Sequence, residues 1–238
     1  KKSWSNQKNY RNFKRKKNPK TENYQNLKDH IFNDHVPWFY QKTSTTGVDN
    51  IFGHTNHSFY SHVILSRPDK GNKYSQLNSS ISKLALEAIS EILEYNNNDI
   101  KFFFLRMSVN ALYPTIGNQF SIPHNDHSFP HTNFICYLTD DHGGGGRTFV
   151  EGHQPHEPVE DECIVFTGEH YLELPKKGRR VNIVATLISY WIYWHPLYNI
   201  VWYESNYKTL WQKDLQLKQK LLRQRRKKNG IIIKQRKC

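Results

Sequence analysis

The sequence has little cysteine, no long hydrophobic run and almost no acid at its two ends. Three cysteines, Cys136, Cys163 and Cys238, follow neither a metal-binding nor a disulfide spacing. A disulfide framework is therefore not indicated, and an intracellular, reducing compartment is expected, with mitochondrial matrix and cytoplasm equally open. No apolar run reaches membrane-spanning length, which argues against membrane insertion. The chain begins at Lys1, so a targeting peptide can be neither read nor excluded. At 238 residues it is long enough to bury a core and is expected to form one domain with appendages.

The shortage of acid is local. Residues 1–20 hold nine Lys/Arg and no acid, and residues 206–238 hold twelve Lys/Arg against Asp214 alone. The tails carry +9 and +11, so a net charge of +13 leaves −7 for the body between them. One-signed ends of this kind suit RNA, a ribonucleoprotein or another anionic surface. The RNA-binding candidates are Lys14, Arg15, Lys16 and Lys17 in the first tail and Arg223, Arg225, Arg226, Lys227 and Lys228 in the second. Residues 1–35 are polar and lack periodicity, and are expected to be a flexible arm. Residues 206–238 are expected to be a basic extension, helical from about Tyr207 to Lys228.

Between the tails, 36–205 reads as the folded domain. Phe59–Leu65 alternates as a strand does. From Gln76 to Leu93, the apolar residues Ile81, Leu84, Ala85, Ala88, Ile89, Ile92 and Leu93 keep helical spacing, which predicts a helix with one buried face. Short apolar runs follow, separated by Pro, Gly and Asp: Phe102–Val109, Phe134–Thr139, Cys163–Phe166 and Val181–Tyr190. Such runs predict a β-sandwich or small barrel.

Chemistry concentrates at Pro123-His124-Asn125-Asp126. Pro123 and Pro130 disfavour a helix, and residues two apart on an extended segment share a face. His124 and Asp126 can therefore address one ion. A second histidine would complete a two-histidine, one-carboxylate face that leaves metal positions open, as non-haem Fe(II) sites require. After Asp126 come an apolar strand, the glycine run Gly143–Gly146, another strand and then His170. Arg180 stands ten residues further on, at the head of the next strand.

With those residues in order, the chain resembles the 2-oxoglutarate/Fe(II) dioxygenases, their prolyl-hydroxylase-like branch and phage-type members above all. The resemblance runs from about Trp38 to Tyr193. It is carried further by Tyr113 and Gly117 upstream of the metal pair, Tyr137-Leu138-Thr139-Asp140 after it, and Gly145-Gly146-Arg147-Thr148-Phe149. His170, Pro175, Gly178 and Arg180 complete it. Thr139 stands where the family usually has Asn, and the glycine run is longer than usual.

The resemblance implies a mainly β fold, a double-stranded β-helix (jelly-roll) core with supporting N-terminal helices. It implies Fe(II) held by His124, Asp126 and His170, with 2-oxoglutarate and O2 as cosubstrates and ascorbate allowed as a reductant. The far carboxylate of the cosubstrate would pair with Arg180, whose planar fork suits it. Arg179 is the rival anchor, Tyr137 and Tyr113 are further cosubstrate candidates, and Asn182 is a possible assistant on the same strand. The implied activity is hydroxylation of a protein side chain, prolyl-type favoured, or of a nucleic-acid-associated substrate. The alternative is an oxygenase fold recruited as an RNA-binding subunit of a ribonucleoprotein such as a mitochondrial ribosome. His127, His131, His142, His153 and His156 are expected to face solvent, and no partner at zinc spacing supports His153 and His156 as ligands.

Overall fold

A computed structural model describes residues 13–33, 36–44, 54–67, 76–96, 100–115, 120–140 and 143–191. In chain order its elements are β1 (Phe13–Lys16), α1 (Glu22–Phe32), β2 (Phe39–Gln41), β3 (His54–Thr55), β4 (Phe59–Ser66) and β5 (Gln76–Leu77). There follow α2 (Ser82–Asn96), β6 (Ile100–Leu112), β7 (Phe120–Ser121), β8 (Thr132–Tyr137), β9 (Thr148–Val150), β10 (Cys163–Phe166), β11 (His170–Leu172) and β12 (Arg180–Trp191).

The two longest strands, β6 and β12, set the frame. They run antiparallel from Arg180 opposite Leu112 to Trp191 opposite Ile100, with a register shift between Thr186 and Leu187. Around them a major sheet forms in the order β1-β10-β8-β12-β6-β4-β2, with β5 attached to β4. Period-two alternation sorts its residues onto two faces. Met107, Val109, Ala111, Val181, Ile183, Ala185 and Leu187 face one way and share a core with Ala85, Ala88, Ile89 and Ile92 of α2. Ile135, Tyr137, Ile164 and Phe166 face the other way, into the barrel, where Val150 and Val184 join them.

The minor face closes over that interior. β3 pairs parallel with β7, β11 pairs antiparallel with β9, and bridges at Phe120–Glu173 and His124–His170 tie β7 to β11. A major sheet facing a minor one, with the chain passing between them, is the expected double-stranded β-helix.

The helix expected over 76–93 is displaced. Residues 76 and 77 pair with β4, and the helix runs from Ser82 to Asn96. The Ser82 hydroxyl donates to Ile64 O at 2.9 Å and accepts from Ser79 N at 3.2 Å, which fixes the start.

The expected flexible arm over 1–35 is corrected for the part the structure describes. Phe13–Lys16 pairs with Phe166–Cys163 of β10. Tyr24, Leu27 and Ile31, spaced as one helical stripe, are buried in α1. Thr21 caps that helix by accepting from Tyr24 N, and Glu22 sits in its first turn. Charge explains why a basic segment docks here. Arg15, Lys20 and Lys28 surround the acidic turn Glu160-Asp161-Glu162, with Lys20 Nζ 2.8 Å and Lys28 Nζ 2.7 Å from Asp161. Tyr24 OH donates to Asp161 as well. Of the RNA-binding candidates, Lys14, Arg15 and Lys16 thus belong to a sheet, and Lys17 Nζ lies 5.7 Å from the Tyr95 ring centroid. Arg223, Arg225, Arg226, Lys227 and Lys228, the expected C-terminal helix and the boundary at 205 lie outside the described residues.

Because α1 supplies part of the core, a chain shortened to begin at Val36 should fail to fold, while one beginning at Phe13 should fold. In the full chain, Leu27→Ala should cost about 2–5 kcal/mol of stability in urea unfolding. A change under about 0.5 kcal/mol would mean that α1 is only loosely docked.

Candidate metal centre

His124 follows β7 and His170 opens β11, and their backbones face each other. His124 N donates to His170 O at 2.9 Å and His170 N to His124 O at 3.0 Å. Directly opposed residues in an antiparallel bridge project to the same side. The two imidazoles accordingly lie with centroids 4.6 Å apart. Asp126, two residues beyond His124, joins them, and one ligand atom from each residue lies within 4.8 Å of the others. His170 Nε2 is 3.7 Å from Asp126 Oδ2.

The tautomers are set locally. His124 Nδ1 faces Ile122 O at 2.9 Å and His170 Nδ1 faces Gly168 O at 3.3 Å, so Nδ1 carries the proton and Nε2 is left for a metal. Burial holds the His170 pKa down at about 4, against the pull of Asp126. Asp126 is fixed by two arginines. Arg106 Nη1 and Arg67 Nη2 donate to its Oδ1 at 2.9 and 3.1 Å, and Arg67 Nη1 donates to its backbone O at 2.9 Å. That leaves Oδ2 for an ion. Burial would raise this carboxyl, but Arg106, His170, Arg67 and His124 together hold it well below the usual carboxylate range. Sequence reading missed both arginines; they stand 59 and 20 residues from Asp126, and no spacing rule links them.

Arg180 enters from the other end of the barrel interior. It is only 1% exposed, yet its Nε and Nη1 have no hydrogen-bond partner. Nη2 donates to Thr148 Oγ1 at 3.0 Å, and the guanidinium lies 5.1 Å from the Tyr137 ring centroid. The Tyr137 hydroxyl shares Thr148 Oγ1 at 2.8 Å. Glu173, the buried carboxylate whose charge reaches Arg180, is already clasped by Arg147 at 2.6 and 3.1 Å. A buried guanidinium left in this state calls for an anion from outside. Arg179, the rival anchor, is exposed and lies over the Phe32 ring. Asn182 points to the same face as Arg180, and its Oδ1 is buried without a partner. Tyr113 is not brought to the group: it is 42% exposed, its ring edge-on to Tyr60 at 5.9 Å.

The glycine run makes room for Arg180. Gly145 and Gly146 have φ of +80° and +74°, in the region that favours glycine. A Cβ on Gly145 would lie 2.7 Å from Leu174 O, and one on Gly146 would lie 3.2 Å from Arg180 Cδ.

The expectation of solvent-facing histidines is corrected for three of them. His127 bonds Thr186 Oγ1 at 2.9 Å and stacks on Phe129, and His131 lies edge-on to His127. His156 packs against Tyr137 and, with His153, against Phe13 of β1. His127, His131 and His156 are thereby buried, held by these hydrogen-bond and ring contacts. His142 lies outside the described residues.

No family model and no curated protein matches the sequence. Solved structures do. A 2OG-Fe(II) oxygenase family oxidoreductase from Burkholderia pseudomallei is similar at 15% identity and a TM-score of 0.52, over 69% of this chain and 78% of that one. A viral collagen prolyl hydroxylase from Paramecium bursaria Chlorella virus-1, in a 2OG complex, shows 14% identity and a TM-score of 0.45, over 74% and 94%. A Trichoplax adhaerens prolyl hydroxylase, bound to a hypoxia inducible factor peptide fragment, shows 15% and 0.46, over 76% and 80%. The likeness to the first is a likeness of fold.

The buried histidines set a pH prediction for the metal-free chain. His57 and His170 have pKa values held at about 4 by burial, below the ordinary 6.5. Between those values the unfolded chain binds more protons, so stability is full above pH 6.5 and falls towards pH 4. Each histidine should contribute up to about 3 kcal/mol to that loss. Urea unfolding at stepped pH measures it; a flat profile from pH 7 to 4.5 would contradict it.

Proposed function

We propose that this chain is an Fe(II)- and 2-oxoglutarate-dependent oxygenase. The observation that carries this reading is the pairing of two features in one barrel. One is a His-Asp-His triad with Nε2, Oδ2 and Nε2 left free of their local partners. The other is a buried arginine with two unpartnered nitrogens. The donor set suits Fe(II), and the arginine suits the far carboxylate of a dicarboxylic 2-oxo acid. When bound, the metal and cosubstrate would supply oxidative decarboxylation coupled to hydroxylation of a C–H bond.

The protein's part in this is to bind, orient and exclude water. His124, Asp126 and His170 would hold the metal from one side, with Arg67 and Arg106 steering Asp126 so that one oxygen faces it. Arg180 would fix the cosubstrate, with Thr148 and Tyr137 as its hydroxyl neighbours. Burial raises the Tyr137 pKa, which keeps that hydroxyl protonated and able to donate. Ile135, Ile164 and Phe166 line the interior and keep the neighbourhood apolar. For the substrate we favour a protein side chain of the prolyl type, on the sequence resemblance; a peptide is bound by the Trichoplax neighbour.

His124→Ala and Asp126→Ala should abolish iron-dependent 2-oxoglutarate turnover while leaving the far-ultraviolet circular dichroism unchanged. Arg180→Lys keeps the charge but loses the fork, so its Kd for 2-oxoglutarate should rise by about tenfold or more. Arg179→Lys should change it less than twofold, within the ~0.4 kcal/mol expected of a surface change. Parent-like turnover in either triad variant, or equal effects of the two arginine changes, would sink the assignment.

The arginines on Asp126 give a separate prediction. Arg106→Ala should weaken Mn(II) binding by about 10–100-fold, the usual cost of losing a partner of a metal ligand. Equilibrium dialysis reads this directly, and unchanged affinity would show that Asp126 needs no such steering.

A further inference from the structure

His57 is a buried histidine that neither the triad nor the anchor accounts for. It is 7% exposed, and neither ring nitrogen has a hydrogen-bond partner. The Thr55 backbone lies nearby but does not reach hydrogen-bonding geometry. The contrast with His62 is sharp. That ring, five residues on and equally buried, satisfies both nitrogens on Pro37 O and the Ser79 hydroxyl. His156, the other described histidine whose ring nitrogens both lack such a partner, is packed by Tyr137 and Phe13 at 5.4 and 5.6 Å. The ring beside His57 is Phe59 at 6.3 Å. A buried polar group so placed calls for a partner.

Its place in the fold directs it towards the site. β3 lies parallel to β7, with Thr55 opposite Ser121, and His54 Nδ1 donates to Ser121 O at 2.7 Å. Two residues beyond Thr55 comes His57, and three beyond Ser121 comes His124, so both leave the same end of this small sheet. His57 is also within electrostatic reach of both His124 and Arg180, whose charges add to burial in lowering its pKa to about 4. Those two residues mark the ends of the span that a 2-oxo dicarboxylate would bridge. A neutral imidazole offers one donor and one acceptor. Facing an anion, the donor is the useful one.

We propose that His57 is a cosubstrate-binding residue, which donates a ring N–H to 2-oxoglutarate between the metal triad and Arg180. This rests on the reading of the barrel as a metal and 2-oxoglutarate site. His57 takes the place near the cosubstrate for which the sequence suggested Tyr113.

The test uses the full chain loaded with Mn(II), and its readouts are binding and melting. 2-Oxoglutarate is titrated calorimetrically into the parent, His57→Phe and His57→Gln, and each protein is also melted without metal or cosubstrate. His57→Phe removes an unsatisfied buried polar group, so its ligand-free melting temperature should equal or exceed the parent's. Its Kd for 2-oxoglutarate should rise about tenfold, the loss of one hydrogen bond to a charged group. His57→Gln, which restores an N–H, should recover most of the affinity. A Kd within twofold of the parent in His57→Phe overturns the proposal. So does a ligand-free melting temperature well below the parent's, since His57 would then be part of the core. If His57→Phe does not fold, His57→Ala and His57→Gln decide by the same two measurements. A parent that binds 2-oxoglutarate, with unaffected variants, overturns the role of His57 alone. A parent that binds none overturns the proposed function as well.

Discussion

Two reciprocal backbone hydrogen bonds, His124 N to His170 O and His170 N to His124 O, hold the site together. They join residues 46 positions apart and decide that the two imidazoles emerge side by side. Everything else at the centre is adjusted to that bridge. The short strands on either side, β7 and β11, extend it. The carbonyls of Ile122 and Gly168 fix the ring tautomers, and two arginines turn Asp126 towards the rings. A bridge made of main chain tolerates changes in the surrounding side chains. That is consistent with a shared fold at 15% identity.

The second constraint is the buried charge of Arg180. A guanidinium at 1% exposure with two unpartnered nitrogens is costly in a metal-free, ligand-free chain. The structure lowers part of that cost with Thr148 and the face of Tyr137, while Nε and Nη1 remain without a partner. The buried atoms without partners on Asn182, Ser108 and Asn133 belong to the same inner face of β12, β6 and β8. The barrel interior is therefore polar on the flank between Arg180 and Asp126 and apolar at Ile135, Ile164 and Phe166. A substitution that replaces these unpartnered polar groups with apolar ones is expected to steady the ligand-free fold.

Much of this was legible in the sequence. Period two on an extended segment put His124 and Asp126 on one face, while His170 and Arg180 were legible only through the resemblance to the 2-oxoglutarate/Fe(II) dioxygenases, whose order of residues they match. β4 was visible as an alternating segment, and β6, β8, β10 and β12 as apolar runs between turn residues. What escaped depended on contacts distant in sequence. Arg67, Arg106 and His57 reach the site from other elements, and nothing in their neighbours' identities marks them. The arm over 1–35 was misjudged for a different reason. Its Tyr24, Leu27 and Ile31 stripe is diluted by charge, and the acidic turn that neutralises Lys20 and Lys28 lies 141 and 133 residues away. Read with that turn, part of the basic charge at the N-terminus serves the fold.

On the proposed function, one barrel interior joins a metal triad to a carboxylate anchor through a single ligand. A crystal structure of the chain with Mn(II) and 2-oxoglutarate, using anomalous scattering to locate the metal, tests this most directly. One metal is expected within bonding distance of His124 Nε2, Asp126 Oδ2 and His170 Nε2, and one 2-oxoglutarate whose far carboxylate accepts from Nε and Nη1 of Arg180. A metal bound elsewhere, or a cosubstrate whose carboxylate leaves those two nitrogens unpartnered, would contradict it.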